Sequence, residues 1–302
     1  MMIHYLSYSR PSTGGDFVNL QHVSLLQQQG LPARLVYVGE NPVPELPPHS
    51  QPLHAARFEP GDDLVIPENN PDFYRIALQT PCRPVIHNQN SYLFFAALAR
   101  LQGFTSALFP DMLCPSHSNA GLVRAGGYDG RIGVVYPGLP DYFSAAPKQL
   151  QIAYAPRKLP LEAAALRGFF SRRHMQLSHV PWVEISGMPR PQLAQVLSES
   201  AIYAALSDKE AISLSVLEAM QSGCIVVGDH GGSTDYATQE NGIWCQADDL
   251  IAFADALAMA IGCFNANGSD NRYANAARSD AARFHLEATR DALFAYWAKR
   301  LK

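Results

Sequence analysis

Two carboxylates, Glu210 and Glu218, flank seven residues in the stretch Ser207-Asp-Lys-Glu-Ala-Ile-Ser-Leu-Ser-Val-Leu-Glu-Ala-Met-Gln-Ser-Gly223. The apolar run Ala201–Leu206 before them reads as a strand. Leu214, Leu217 and Met220 then recur at helical spacing until Gly223 stops the pattern. A helix that begins near Ser213 aims its free N–H groups and positive dipole end over the sheet, an arrangement suited to phosphate or pyrophosphate. Other residues with chemical potential stand at comparable places: Gly14-Gly15 after the first strand, His87 at a strand end, and Arg157-Lys158 in a strand-to-helix turn. Each also has a purely structural reading. Ser215-Val-Leu-Glu218 is a capping box that would serve only its own helix start. Glu210 fits a solvated loop charge, and Arg157 and Lys158 fit surface charges. Gly14-Gly15 fits either a tight turn or close backbone approach to a ligand. His87 fits a packed histidine as well as a catalytic one, and His230 beside Gly231-Gly232 is similarly open.

The elements that position these residues alternate along the chain. Ile3–Ser7 reads as a strand, Ser12-Thr-Gly-Gly-Asp16 as a turn, Val18–Leu26 as a helix ending at Gly30, and Arg34–Gly39 as a second strand. Strand, helix, strand is the order a parallel sheet requires. Asn41–Pro60 is proline-rich and aperiodic, a surface excursion within the first domain. Alternation resumes through Asp63–Pro67, Phe73–Leu78, Arg83–His87, Tyr92–Leu101, Met112–Pro115, Ser118–Ala125 and Arg131–Tyr136. The segment from Pro137 to Lys148 breaks the pattern and is the expected hinge. A second alternation follows: Ile152–Ala155, Leu161–Phe170, Trp182–Ser186, Pro191–Ser198, Ala201–Leu206, Ile225–Gly228 and a helix over Leu250–Ala260. Asn271–Leu301 reads as one or two terminal helices. The expected domains are therefore 1–144 and 148–286, both Rossmann-like, with a helix at about 287–302 that packs back on the first.

Bulk properties narrow the function classes. The 302 residues suffice for two cores. A net charge of -4 and a pI near 6.2 give no reason to expect nucleic acid. The five cysteines are scattered and include no CxxC pair, so neither a disulfide framework nor a metal site is indicated and a reducing cytosol fits. Met1–Ser9 lacks signal-peptide features, and no uninterrupted apolar stretch approaches the roughly 20 residues that span a bilayer. The apolar run Tyr92–Leu101 suits a buried helix, with peripheral contact at the inner membrane face left open.

The motifs resemble those of the group 1, or family 4, retaining glycosyltransferases. Glu210-Ala-Ile-Ser-Leu-Ser-Val-Leu-Glu218 is similar to that family's Glu-x7-Glu motif. The flanking Gly187–Ser200 and Ala219–Ser233 segments, Asn241-Gly242, Gly14-Gly15 and Tyr136-Pro-Gly-Leu-Pro-Asp-Tyr-Phe143 extend the resemblance. It implies a GT-B fold, in which two Rossmann-like domains with parallel sheets face across a cleft. It also implies a nucleotide diphosphate sugar as donor, no cofactor, no metal, and a glycan, lipid-linked or small-molecule acceptor in polysaccharide assembly. By resemblance Glu218 holds the ribose and Glu210 contacts the transferred sugar. The amides of Ile212, Ser213 and Leu214 lie near the phosphates, Arg157 and Lys158 neutralise the leaving group, Gly14 and Gly15 approach the donor, and His87 lies near the acceptor. The chain departs from the family at Ala211 and Ser213, where relatives carry glycine, and in the adjacency of Arg157 and Lys158. An epimerase of the same fold acting on the nucleotide sugar, or a non-catalytic nucleotide-sugar or glycan-binding protein, are the alternatives. The oligomeric state is not readable from the sequence.

Overall fold

The computed structural model describes residues 1–10, 13–40 and 42–300. Ser12 of the first turn, Asn41 at the start of the proline-rich excursion and Leu301 of the terminal helix lie outside the described residues. The chain divides into two compact units, Met1–Gly138 with Leu286–Lys302, and Leu139–His285.

The first unit contains β1 (Ile3–Tyr8), α1 (Gly14–Gln28), β2 (Ala33–Val38), β3 (Gln51–Pro52), β4 (Asp63–Pro67), α2 (Pro71–Leu78), β5 (Arg83–His87), α3 (Ser91–Leu98), β6 (Asp111–Cys114), α4 (His117–Ala125) and β7 (Arg131–Val134). Its parallel sheet runs β3-β2-β1-β4-β5-β6-β7. Helix starts are set locally. Thr13 and Asp16 form a capping box on α1, Asn70 caps α2 ahead of Pro71, Asn90 caps α3 and Ser116 caps α4. Strand residues alternate between two covered faces, as a buried parallel sheet requires. Leu64, Ile66, Ile86 and Met112 pack with Phe73, Phe94 and Val123 on one face. Tyr5, Val65, Val85 and Leu113 pack with Val23 and Leu26 on the other.

The terminal helix Leu286–Ala298 adds Leu293 and Trp297 to that second face. Beyond it, buried Arg300 bonds Asp63 at 2.6 Å and also pairs with Asp111; Arg83 and Arg131 hold the same two carboxylates from their outer sides. Unit 1 therefore comprises two separate stretches of chain. The first crossing into unit 2 falls after Gly138, earlier than the boundary at 144. Gly138 lies so close to Leu286 and Thr289 that a Cβ there would stand 2.8 Å from Leu286, whereas Leu139 already bonds Phe284 and Phe143 is buried in the second unit.

Unit 2 contains β8 (Gln149–Tyr154), α5 (Pro160–Arg173), β9 (Trp182–Glu184), α6 (Arg190–Glu199), β10 (Ser200–Ala205), α7 (Leu214–Gln221), β11 (Ile225–Gly228), β12 (Ile243–Trp244), α8 (Leu250–Asn267) and α9 (Arg272–Ala281). Its parallel sheet runs β12-β11-β10-β8-β9. α8 is long and apolar enough to cross a membrane by length and composition alone. In the fold, Phe253, Ala254, Leu257, Ala260 and Ile261 are buried in the unit 2 core with Ile202, Ile225 and Val227.

Candidate functional site

In an open parallel sheet, a crevice forms outside the carboxyl ends of two adjacent strands whose connections leave in opposite directions. Unit 2 has this point between β8 and β10, because the chain passes from β8 out to β9 and then returns to the other side of β8. The turn after β8 carries Arg157 and Lys158, and the turn after β10 carries Glu210. Lys158 Nζ forms an ion pair with Glu210 Oε1. Arg157, its neighbour, is exposed and pairs with no group among the described residues.

Glu210 is held through its backbone. Its N–H donates to Gly231 O at 2.8 Å, and Gly231 has φ +70°. A Cβ on Gly231 would stand 2.8 Å from both Cβ and Cγ of Glu210, so this glycine permits the contact. Asp229 fixes the loop by accepting from Gly231 N at 2.7 Å and Ala247 N at 3.2 Å. The residue before Glu210, Lys209, has φ +49°, a left-handed conformation that costs a non-glycine residue about 1 kcal/mol.

Ser213 is the residue before α7, and its side chain does not cap the helix. Its hydroxyl instead accepts from Ser207 Oγ at 3.2 Å. Its backbone N–H meets the hydroxyl of fully buried Tyr236, which donates to His230 O at 3.0 Å. Of the three expected phosphate-facing positions, Ser213 therefore has its amide engaged within the protein; Ile212 is buried and Leu214 half-buried. Ser215 lies inside α7, so Ser215 and Glu218 do not form a capping box.

Glu218 is 2% exposed, one turn into α7. Burial pushes its carboxyl up to about 7, and the Arg190 guanidinium, 2.6 Å away, opposes that shift. Arg190 stacks over Phe143 at 4.9 Å and bonds the Tyr142 hydroxyl. Arg190 lies outside the motifs that the sequence displays. The signal was a lone arginine in the helix start Met188-Pro-Arg-Pro191, facing a carboxylate that needs a counter-charge when buried.

Unit 1 has its own topological switch between β1 and β4. Gly14 and Gly15 are the first two residues of α1, and the group that comes close to Gly15 is Gln89, which donates to Gly15 O at 2.9 Å. His87 is 1% exposed and stacks on His22 at 4.8 Å. Its Nδ1 lies 2.7 Å from Asn19 Oδ1, and Gln89 Nε2 approaches the same nitrogen at 3.4 Å. Burial keeps His87 well below the usual imidazole range and brings His22 down to about 3, so both rings are neutral at pH 7. Directly after β4 stands Glu68, which likewise belongs to none of the sequence motifs. It is 4% exposed, and burial raises it to about 7 against hydrogen bonds from its own N–H and those of Gln89 and Asn90. Among the described residues, no three His, Cys, Asp or Glu side chains gather as a metal-ligand group.

Residues 163–262 match a family model described as glycosyl transferases group 1. An alpha-1,6-glucosyltransferase of Actinobacillus pleuropneumoniae serotype 7 is 30% identical over 301 residues, covering 94% of this chain and 90% of the relative. Among solved structures, Anabaena HepE in complex with UDP and glucose superposes with a TM-score of 0.72 at 13% identity, covering 99% of this chain and 100% of that one. A sucrose-phosphate synthase of Thermosynechococcus elongatus gives 0.72 at 13% identity, covering 100% and 99%.

Proposed function

The chain belongs to the group 1 glycosyltransferases and has the GT-B fold; from that premise we propose that it transfers glucose from UDP-glucose to a glycan acceptor with retention of configuration. The observation that carries the reading is the crevice between β8 and β10, where Lys158 meets Glu210 and the uncapped start of α7 leads to buried Glu218. The donor is supported by the HepE complex with UDP and glucose, and the glucosyl group by the name of the relative from Actinobacillus. In this reading Glu218 accepts hydrogen bonds from the ribose hydroxyls. Lys158 and Arg157, with the α7 dipole, stabilise the charge that grows on the leaving diphosphate as the C1–O bond breaks, an effect larger in the transition state than in the ground state. Glu210 orients the sugar once Lys158 turns to the phosphates. The acceptor oxygen attacks C1 on the face that UDP leaves, and its proton passes to the departing phosphate.

No metal or cofactor enters this scheme. Unit 1 is the acceptor side in the same proposal. A cytosolic location, with peripheral contact at the inner membrane face, also belongs to it, and the five free thiols suit that compartment. The test is incubation of UDP-glucose with isomaltotriose and NMR of the product. An α-linked glucose is expected, and Lys158→Met lowers kcat at least about a hundredfold, in the range of a lost oxyanion-stabilising group. A β-linked product refutes retention. Absence of binding to uridine, guanosine and thymidine diphosphate sugars refutes the donor class.

A further inference from the structure

Glu210 sits in a turn whose shape its own residues do not fix. Lys209 holds a left-handed φ of +49°, and no glycine stands between Ser207 and Ser213 to relieve the strain. A strained backbone of this kind persists where bonds to its surroundings over-determine it. At one end Glu210 N–H donates to Gly231 O at 2.8 Å. At the other end Ser213 N–H meets the Tyr236 hydroxyl. That hydroxyl donates in turn to His230 O at 3.0 Å, on the residue before Gly231. The bonds close a ring: from Glu210 to Gly231, back one residue to His230, through the Tyr236 hydroxyl to Ser213, and along the turn to Glu210 again.

The chemistry of Tyr236 suits it to holding this ring and not to exchanging a proton. The side chain is fully buried, and burial, helped by the charge of Glu210, keeps its phenol well above the usual range. The hydroxyl therefore stays protonated, with one hydrogen for His230 O and a lone pair for Ser213 N–H. Tyr236 is itself fixed from behind. Asn241 Nδ2 donates to Tyr236 O at 2.5 Å and to Asp280 Oδ2 at 2.6 Å, which ties the ring to α9. Trp244 meets the phenol ring edge-on at 6.2 Å.

We propose that Tyr236 is a positioning residue for the transfer reaction: its hydroxyl locks the turn of Glu210 to the loop after β11 and so sets where the carboxylate meets the transferred sugar. This deepens the function proposed above and rests on Glu210 orienting that sugar. Glu218 lies further along α7, outside the ring, so nucleotide binding through the ribose does not depend on the hydroxyl. The test measures glucosyl transfer from UDP-glucose to isomaltotriose, and UDP binding, for the wild type, Tyr236→Phe, Glu210→Ala and the double variant, with urea unfolding to confirm that each is folded. Tyr236→Phe fills the same space and deletes only the hydroxyl. It is expected to lower kcat at least tenfold while the Kd for UDP moves less than threefold. In the Glu210→Ala background no carboxylate remains to be positioned, so the same change is expected to lower kcat less than twofold; a merely structural loss would appear equally in both backgrounds. Wild-type kcat in Tyr236→Phe, an equal loss in both backgrounds, or a UDP affinity that falls in step with kcat overturns the assignment. A Tyr236→Phe chain that does not fold overturns it too, because the hydroxyl then holds the core and not the turn. A wild type that forms no product counts against the proposed function instead, so the two failures are told apart.

Discussion

Glu218 is expected to make donor binding depend on pH, with a sign that follows from its burial. An ordinary glutamate is ionised throughout the physiological range, but burial pushes this one up to about 7 despite Arg190 at 2.6 Å. If the ionised carboxylate is the form that takes the ribose hydroxyls, the competent fraction is about nine-tenths at pH 8 and about one-tenth at pH 6. The apparent Kd for UDP-glucose therefore rises about tenfold between those values, close to 1.4 kcal/mol. UDP-glucose is the right probe, because its diphosphate diester does not titrate there as the terminal phosphate of UDP does. Glu218→Gln removes both the dependence and a charge-assisted hydrogen bond, so its affinity is flat with pH and about 10- to 100-fold below the wild type at pH 8. Arg190→Met removes the charge that holds the carboxyl down, and moves the midpoint above that of the wild type. Isothermal titration of the three proteins from pH 6 to 8.5 measures all of this. A flat wild-type curve, or a Glu218→Gln curve that follows it, refutes the assignment. The same shift acts on stability with a fixed sign. The contribution of Glu218 is fully present below its ordinary value of 4.5 and is lost as pH rises through 7, about 3 kcal/mol in all.

Three further outcomes are expected. Gly231→Ala forces a Cβ to within 2.8 Å of Glu210 at a positive φ, so it should cost about 2 kcal/mol in urea unfolding of unit 2 and lower turnover by displacing Glu210. Arg300→Met leaves Asp63 and Asp111 without their shared buried cation, a loss of about 3–5 kcal/mol that should appear as faster hydrogen exchange in β4 and β6. His22, brought down to about 3 by burial, stabilises unit 1 above its ordinary value of 6.5 and loses that contribution as pH falls towards 3. Melting of the wild type should therefore drop between pH 6.5 and 4, and His22→Leu should flatten the drop.

Much of the architecture is legible in the sequence because parallel strands buried on both faces are short apolar runs between helices. Ile225–Gly228 and Asp63–Pro67 coincide with β11 and β4 for that reason. β3 escapes notice because it is two residues long and ends in proline, inside a segment with no periodicity. α8 extends past Ala260 to Asn267: burial of Ile261 and packing of Phe264 outweigh the weak helix propensity of Gly262, and the helix stops at Gly268 with φ +58°. The site divides in the same way. The beginning of α7 after Ser213, with a glutamate on either side, follows from spacing along one segment. Arg190 beside Glu218, Tyr236 under Ser213 and Glu68 beside Asn88 join residues distant in sequence, and local patterning carries no record of such meetings. The close approach at Gly15 was legible as a need for space, but not as the side chain of Gln89 that fills it.

The divided construction of unit 1 has a consequence for biosynthesis. Its second hydrophobic face is complete only when Leu293 and Trp297 arrive, and Arg300 neutralises Asp63 and Asp111 later still. All of Leu139–His285 leaves the ribosome before those residues do. Unit 2, continuous in sequence, can mature while the sheet of unit 1 waits with an uncovered apolar face and two buried acids lacking their shared partner. During translation the amino-terminal unit is therefore the later to complete its core, although its synthesis begins first.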